Sequence, residues 1–334
     1  MSRSPDGDRR DGDRRDPGRP GRSRVRGSMV PEAEFRSYYG RPIIKEPVWT
    51  WEIPWYLFAG GLAGASASLG LGSRLSGNDR LARAAFTVAG AGAAVSVPLL
   101  ASDLGRPERF LYMLRMFKVT SPLSVGSWIL AAMGPSAVGA AVSDRLGIFP
   151  RLGRVAEVAA GLLGPALATY TGALFADTAV PVWHEGGREL PFVFAGGAAA
   201  SAGAAALLLT PPADAGPARR LVVSGALLEL GAAQAMERRL GELGEPYHQG
   251  PAGRLARLAK ACTAAGAGLV AAGGRRRRGL TAAGAALVLA GSACERWAVY
   301  KAGFQSARDP RYIVGPQRAR LAARAAAAAE QVKQ

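Results

Sequence analysis

Histidine and cysteine are almost missing from this chain, with two of each among 334 residues. His184 and His248 both fall in expected connecting segments. A b-type haem embedded in a bundle takes its axial ligands from helices, usually histidines, so a cytochrome b role is disfavoured. Cys262 and Cys294 stand inside expected helical spans at no metal-ligand spacing. An iron–sulfur cluster held by this chain alone is thereby excluded, and the two thiols read as small core residues. No metal site is expected.

Charge is also missing, though only locally. With 20% charged residues and a mean hydropathy of +0.08, the averages would suit a soluble protein. The charges, however, crowd into the first 46 residues, the last 35 and a few short connections. Between them lie eight stretches of roughly 20 residues, the length a helix rising about 1.5 Å per residue needs to cross about 30 Å of hydrocarbon. They run over 49–72, 82–101, 124–142, 155–177, 190–209, 219–236, 255–273 and 279–300. The fifth and seventh give the weakest signals. Much of each stretch is Ala and Gly, which dilutes its hydropathy but lets helix backbones approach where lipid supplies no hydrophobic drive between them. A soluble helical bundle would show a polar face on each helix, and most of these show none. The expected fold is all-α: a polytopic membrane protein of about eight transmembrane helices in two packed four-helix bundles.

Residues 1–46 alternate Arg and Asp with Pro and Gly and contain no apolar run, so they read as a disordered charged tail without the apolar region of a secretory signal. Arg9-Arg10 resembles a twin-arginine signal, yet no apolar stretch follows it closely. The transmembrane domain is expected over 47–305. Residues 306–334 read as a tail, Ala- and Arg-rich from 317 onward, that forms a surface helix or frays.

The 42 Lys and Arg residues outnumber 25 Asp and Glu, for a formal charge of +17. They are spread over tails and loops rather than gathered on one face, so nucleic acid is not the expected partner. Connections after the odd-numbered stretches carry Arg74, Arg80, Arg83, Arg145, Arg151, Arg154, Arg219, Arg220 and the run 275–278. The positive-inside rule places those loops in the cytoplasm and both termini outside. The arginine-laden N-terminal tail argues for the opposite orientation, and both remain open.

Ionisable groups in membrane spans are costly and mark pathways or binding sites. The first stretch opens with Trp49, Trp51, Glu52, Trp55 and Tyr56, the second ends in Asp103, Arg106 follows at once, Ser124 and Trp128 start the third, and Tyr170 and Trp183 close the fourth. Counted from the stretch ends, Glu52, Asp103, Ser124, Tyr170 and Trp183 share one membrane face. The tryptophans serve equally as an interfacial belt. Arg106 is either a ligand-binding residue or the ion-pair partner of Asp103. Glu295 next to Arg296 reads as an ion pair, whereas Glu229 at mid-helix has no evident partner and suits either a proton path or a structural bond.

The W-x-W-E-I-x-x-Y start with its Gly60-Gly61-x-x-Gly64 continuation, the D-L-G-R-P-x-R-F run from Asp103, the S-P-x-S-x-G-S-W entry from Ser121 and Tyr170-Thr171-Gly172 together resemble the NrfD/PsrC family, the membrane-anchor subunits of polysulfide reductase and its relatives. The motifs cover about residues 47–200, and beyond them the likeness rests on helix count. The resemblance implies a haem-free, eight-helix quinone-binding anchor in a bacterial cytoplasmic membrane. It implies two partners, a four-cluster iron–sulfur subunit and a molybdopterin catalytic subunit. The quinone, menaquinone or ubiquinone, would be lined by the start of the first helix and by the tyrosine of the fourth. Carried over, those are the Trp51–Tyr56 stretch, with Trp55 and Tyr56, and Tyr170; Trp49 and Arg106 are further candidates for binding the quinone. Where some relatives place Asn and His on the first helix, this chain has Ile53 and Tyr56. Reduction of a quinone by two electrons needs two protons, so Tyr170 is expected to donate to a carbonyl while Glu52 or Asp103 relays protons. A proton-coupled transporter would show internal repeats and polar residues at the membrane midplane, whereas a purely structural anchor that tethers an iron–sulfur protein stays open from sequence.

Overall fold

In a medium without water, a spanning segment must pair its backbone groups internally, and helices do so. The structure, a computed structural model, describes residues 43–103 and 107–331. Among these it has α-helices, short 3-10 turns and no strand. The α-helices are α1 (Glu52–Leu75), α2 (Asp79–Asp103), α3 (Pro122–Leu146), α4 (Pro150–Ala176), α5 (Pro181–Glu185), α6 (Leu190–Leu209), α7 (Gly216–Leu240), α8 (Gly250–Gly273), α9 (Arg278–Arg308) and α10 (Arg311–Gln331). The charged tail expected over 1–46 lies, up to residue 42, outside the described residues.

Five of these helices, α2, α3, α4, α6 and α8, are long and apolar enough to cross a membrane by length and composition. The remaining expected spans correspond to α1, α7 and α9. Gly, Ser and aromatic residues dilute α1, and charges interrupt the other two at mid-length. α9 runs eight residues past the expected end at 300, because Gly303 and Ala307 continue to pack inside. There Gly303 lies flat against the Trp183 ring, where a Cβ would stand 1.9 Å from Cε2.

Consecutive long helices run antiparallel, and the register is set by backbone contacts at small residues. α1 packs on α2, α4 and α6, α3 packs on α2 and α4, and α6 to α9 are joined through α6–α7, α7–α8, α8–α9 and α6–α9. A close pass joins α1 and α4, where a Cβ on Gly64 would stand 2.4 Å from the Gly164 carbonyl. Ser68 of α1 adds a hydrogen bond to the Gly161 carbonyl at 3.0 Å.

At one end, Arg74 of α1 is almost enclosed and donates to Asp79 (2.7 Å), Asp144 of α3 (2.9 Å) and Glu157 of α4 (2.6 Å). Arg83 of α2 joins the same Asp144 at 2.9 Å. At the other end, Arg239 of α7 grips both oxygens of Glu189, each at 2.6 Å, just before α6 begins. That guanidinium holds the Glu189 carboxyl below its usual range, partly offset by burial.

Two outcomes follow from these contacts. Gly64→Val drives a branched side chain into the α4 backbone and lowers stability by about 1–3 kcal/mol, read as a thermal shift in detergent. Gly72→Ala, which meets open space, leaves the melting temperature unchanged. Because the folded Glu189 pKa is depressed, its ion pair stabilises the protein above the unfolded carboxyl value of about 4.3 and is lost as pH falls through the lower folded value. Glu189→Gln therefore lowers the melting temperature at pH 7, by an amount equivalent to about 1 kcal/mol or less, and the difference from wild type vanishes in acid.

Candidate functional site

The alternating helix directions bring the start of α1, the end of α2, the start of α3 and the end of α4 to one end of the protein, opposite Arg74. Glu52 and Asp103 meet there through Thr50. The Thr50 amide donates to Asp103 Oδ1 at 2.9 Å, and its hydroxyl touches that same oxygen at 2.9 Å and Glu52 Oε2 more closely still. One hydroxyl carries one proton and can donate to only one of two carboxylates.

The tryptophans part company. Trp49 points inward, its ring stacked on Trp183 at 5.4 Å and tilted against Phe175 at 5.2 Å. Its carbonyl accepts from the Tyr300 hydroxyl of α9 at 2.7 Å. Trp183 is fully buried and donates from Nε1 to the Val299 carbonyl at 2.7 Å, which makes it a pillar of the core. Trp51 and Trp55 instead face outward, 58% and 40% exposed. Trp55 lies edge-on to Phe58 and to Trp297 of α9.

Tyr56 turns inward one helical turn below Glu52. Its side chain is 1% exposed, and its hydroxyl finds no hydrogen-bond partner among the described residues. A buried polar group without a partner costs about 1–3 kcal/mol, and an acceptor oxygen beside this phenol would remove that cost. Tyr170 of α4 is buried too, its ring laid on Gly126 of α3, where a Cβ would stand 2.0 Å from Cε2. The Gly64–Gly164 crossing sets it level with residues 57–58 of α1, roughly 8 Å deeper than Glu52 at 1.5 Å per residue.

The S-P-x-S-x-G-S-W motif is largely accounted for by architecture. Ser121 caps α3 through the Ser124 amide, Pro122 takes the first helical turn, and Gly126 seats Tyr170. The Ser124 hydroxyl binds the Met116 carbonyl at 3.1 Å and receives the Lys118 amide at 3.1 Å. Arg106 lies outside the described residues.

Sequence reasoning missed Thr50 and Tyr300. Thr50 carried a faint signal, a hydroxyl between two tryptophans and two residues before a glutamate. Tyr300 carried none, since only the fold brings α9 to the start of α1.

Five helices long and apolar enough to cross a membrane, in a chain that is helical throughout its described elements, mark a multi-pass membrane protein. The family model of polysulphide reductase, NrfD, matches residues 43–240, more than half of the chain, and the chain belongs to that family. None of the curated proteins compared matches it. A membrane-anchor role in an oxidoreductase fits both the family and the helices.

Gly126→Ala forces the Tyr170 ring from its seat and lowers stability by about 1–3 kcal/mol. Removing the ring in the double variant Gly126→Ala, Tyr170→Ala relieves the clash, so the two costs add to less than their sum. Thermal melts of the three variants measure this coupling.

Proposed function

We propose that this protein is the haem-free, quinone-reactive membrane subunit of a multi-subunit oxidoreductase, passing electrons between a quinone pool and a partner iron–sulfur subunit of a molybdopterin enzyme. In this reading the eight helices α1–α4 and α6–α9 span a bacterial cytoplasmic membrane as two four-helix bundles, with α5 and the 3-10 turns lying at the interface. The bilayer and the two partner subunits complete the assembly. The carrying observation is the Tyr56 hydroxyl, buried and unpartnered just beneath the Thr50-linked acids.

Menaquinone or ubiquinone is the substrate class that needs this combination, since its carbonyl oxygens accept hydrogen bonds and take up protons on reduction. Tyr56 and Tyr170 are placed to donate to such oxygens from within the helices. Glu52, Thr50 and Asp103 form the short path on which a proton moves between that depth and the surface. The aromatic mass of Trp49, Phe175 and Trp183 excludes water behind them. Trp51 and Trp55 mark the outer face of α1, where an amphiphilic substrate enters from lipid. Arg106, three residues past the end of α2 in sequence, is a further candidate for binding the quinone.

Purification in mild detergent, identification of co-purifying chains, and titration with a menaquinone analogue followed by tryptophan fluorescence test this reading. Saturable quenching is expected, with affinity weakened about tenfold in Tyr56→Phe, Tyr170→Phe or Glu52→Gln, the value of one lost buried hydrogen bond. Absence of a quinone response in the wild type, or identical titrations in all three variants, overturns it.

A further inference from the structure

The second half of the bundle contains a buried polar system that the quinone reading does not use. Glu229 of α7 is 2% exposed and sits about 16 Å from the end of its helix at Leu240, counting 1.5 Å per residue. Its Oε2 receives the Thr263 hydroxyl of α8 at 3.4 Å, while Oε1 has no partner among the described residues. Facing it from α9 are Glu295 and Arg296, which pair with each other. Arg296 is further committed, donating to the Phe194 carbonyl of α6 at 2.9 Å with its guanidinium over the Phe194 ring at 4.2 Å. From α6, Gly197 leaves the room these groups fill, since a Cβ there would stand 2.5 Å from Glu229 Oε1 and 3.0 Å from Arg296 Nη2.

Two carboxyls thus lie near one guanidinium in the middle of the bundle, and only Glu295 pairs with it, which leaves Glu229 unmatched. An isolated charge in so apolar a place is costly. The group has, however, a way out. A cavity of about 30 Å³ is lined by Glu229, Thr263, Glu295, Tyr247, Glu237 and Lys260, enough for one or two waters. The Tyr247 hydroxyl is buried and likewise unpartnered. At the outer edge Lys260 donates to Glu237 at 2.6 Å, and His248, 62% exposed, lies 3.8 Å from the same carboxylate. Toward the opposite end, the helices close in an apolar layer of Ala200, Ala204, Val222, Val270 and Val288.

We propose that Glu229 is a proton-exchange site at mid-membrane depth, served from the end of the protein that holds Glu52 by a half-channel through Glu237, Tyr247 and cavity water. A proton delivered at Glu237 passes through the Tyr247 hydroxyl and cavity water, each of which takes up one proton and releases another, to Glu229. Each O–H bond broken is matched by one formed, and no electron moves. Lys260 and His248 set the charge at the inlet, and the apolar layer stops the path from crossing the membrane in this conformation. The site is separate from the Glu52–Thr50–Asp103 trio and lies on other helices.

Infrared difference spectroscopy of the purified full chain, on moving from H2O to D2O, tests the assignment. A buried protonated-carboxyl band is expected in the wild type, lost in Glu229→Gln and retained in Glu52→Gln. Glu237→Gln and Tyr247→Phe keep the band but slow its exchange about tenfold or more. Melting temperatures taken alongside separate a lost proton from a lost fold. If Glu229→Gln unfolds, the exchange rates of the two inlet variants decide alone. A band that survives in folded Glu229→Gln, or exchange unchanged in both inlet variants, overturns the proposal.

Discussion

The pass of backbone against backbone where Gly64 of α1 meets Gly164 of α4 is the constraint on which the rest depends. In lipid no hydrophobic drive pushes two helices together, so contact area at short range must do it. Fixing α1 against α4 at that depth sets which residues of the two helices share a level. It places Tyr170 beneath Glu52, and through Gly126 it fixes α3 as well. Because α1 also packs on α2 and α6, one helix of small residues ties the first half of the chain to the second.

The chemistry at the Glu52 end inherits its order from that frame. Thr50 lies before α1 begins and Asp103 at the last residue of α2, 53 positions away, so Asp103 has no partner there until both helices are seated. Trp183 shows the same dependence. It is an interfacial residue by sequence position, yet Gly303 and the Val299 carbonyl take its whole indole into the core. Aromatic residues at membrane edges therefore divide by what the neighbouring helix offers: a small residue draws the ring inward, and its lack leaves the ring at the surface.

Much of the fold was legible because lipid reduces the choices. A run of about twenty uncharged residues has little alternative to a helix, and the fifth stretch was placed at 190–209, the bounds α6 takes. The gathering of Glu52, Asp103 and Ser124 at one end followed from counting alone. What counting cannot supply is the angular position of each side chain. The W-x-W-E motif looks uniform in sequence, but a helix turns 100° per residue, so Trp51 and Trp55 face out while Tyr56 faces in. Gly126 and the serines around it resembled functional residues, and the structure uses them to seat a ring and cap a helix. Tyr300 and Thr50 were not visible because their partners stand 251 and 53 positions away.

The enclosed arginine at the far end bears on how the chain comes to be made. Arg74 leaves the ribosome 83 residues ahead of Glu157, an interval of roughly 4–17 s at 5–20 residues per second. For that time the first hairpin carries a cation whose principal counter-charge does not yet exist, and only Asp79 close by can shield it. Such a group resists drifting into hydrocarbon and so pins its end of the nascent hairpin at the water boundary until the second hairpin arrives. The cluster that locks four helices in the finished protein thus serves first as an anchor during insertion.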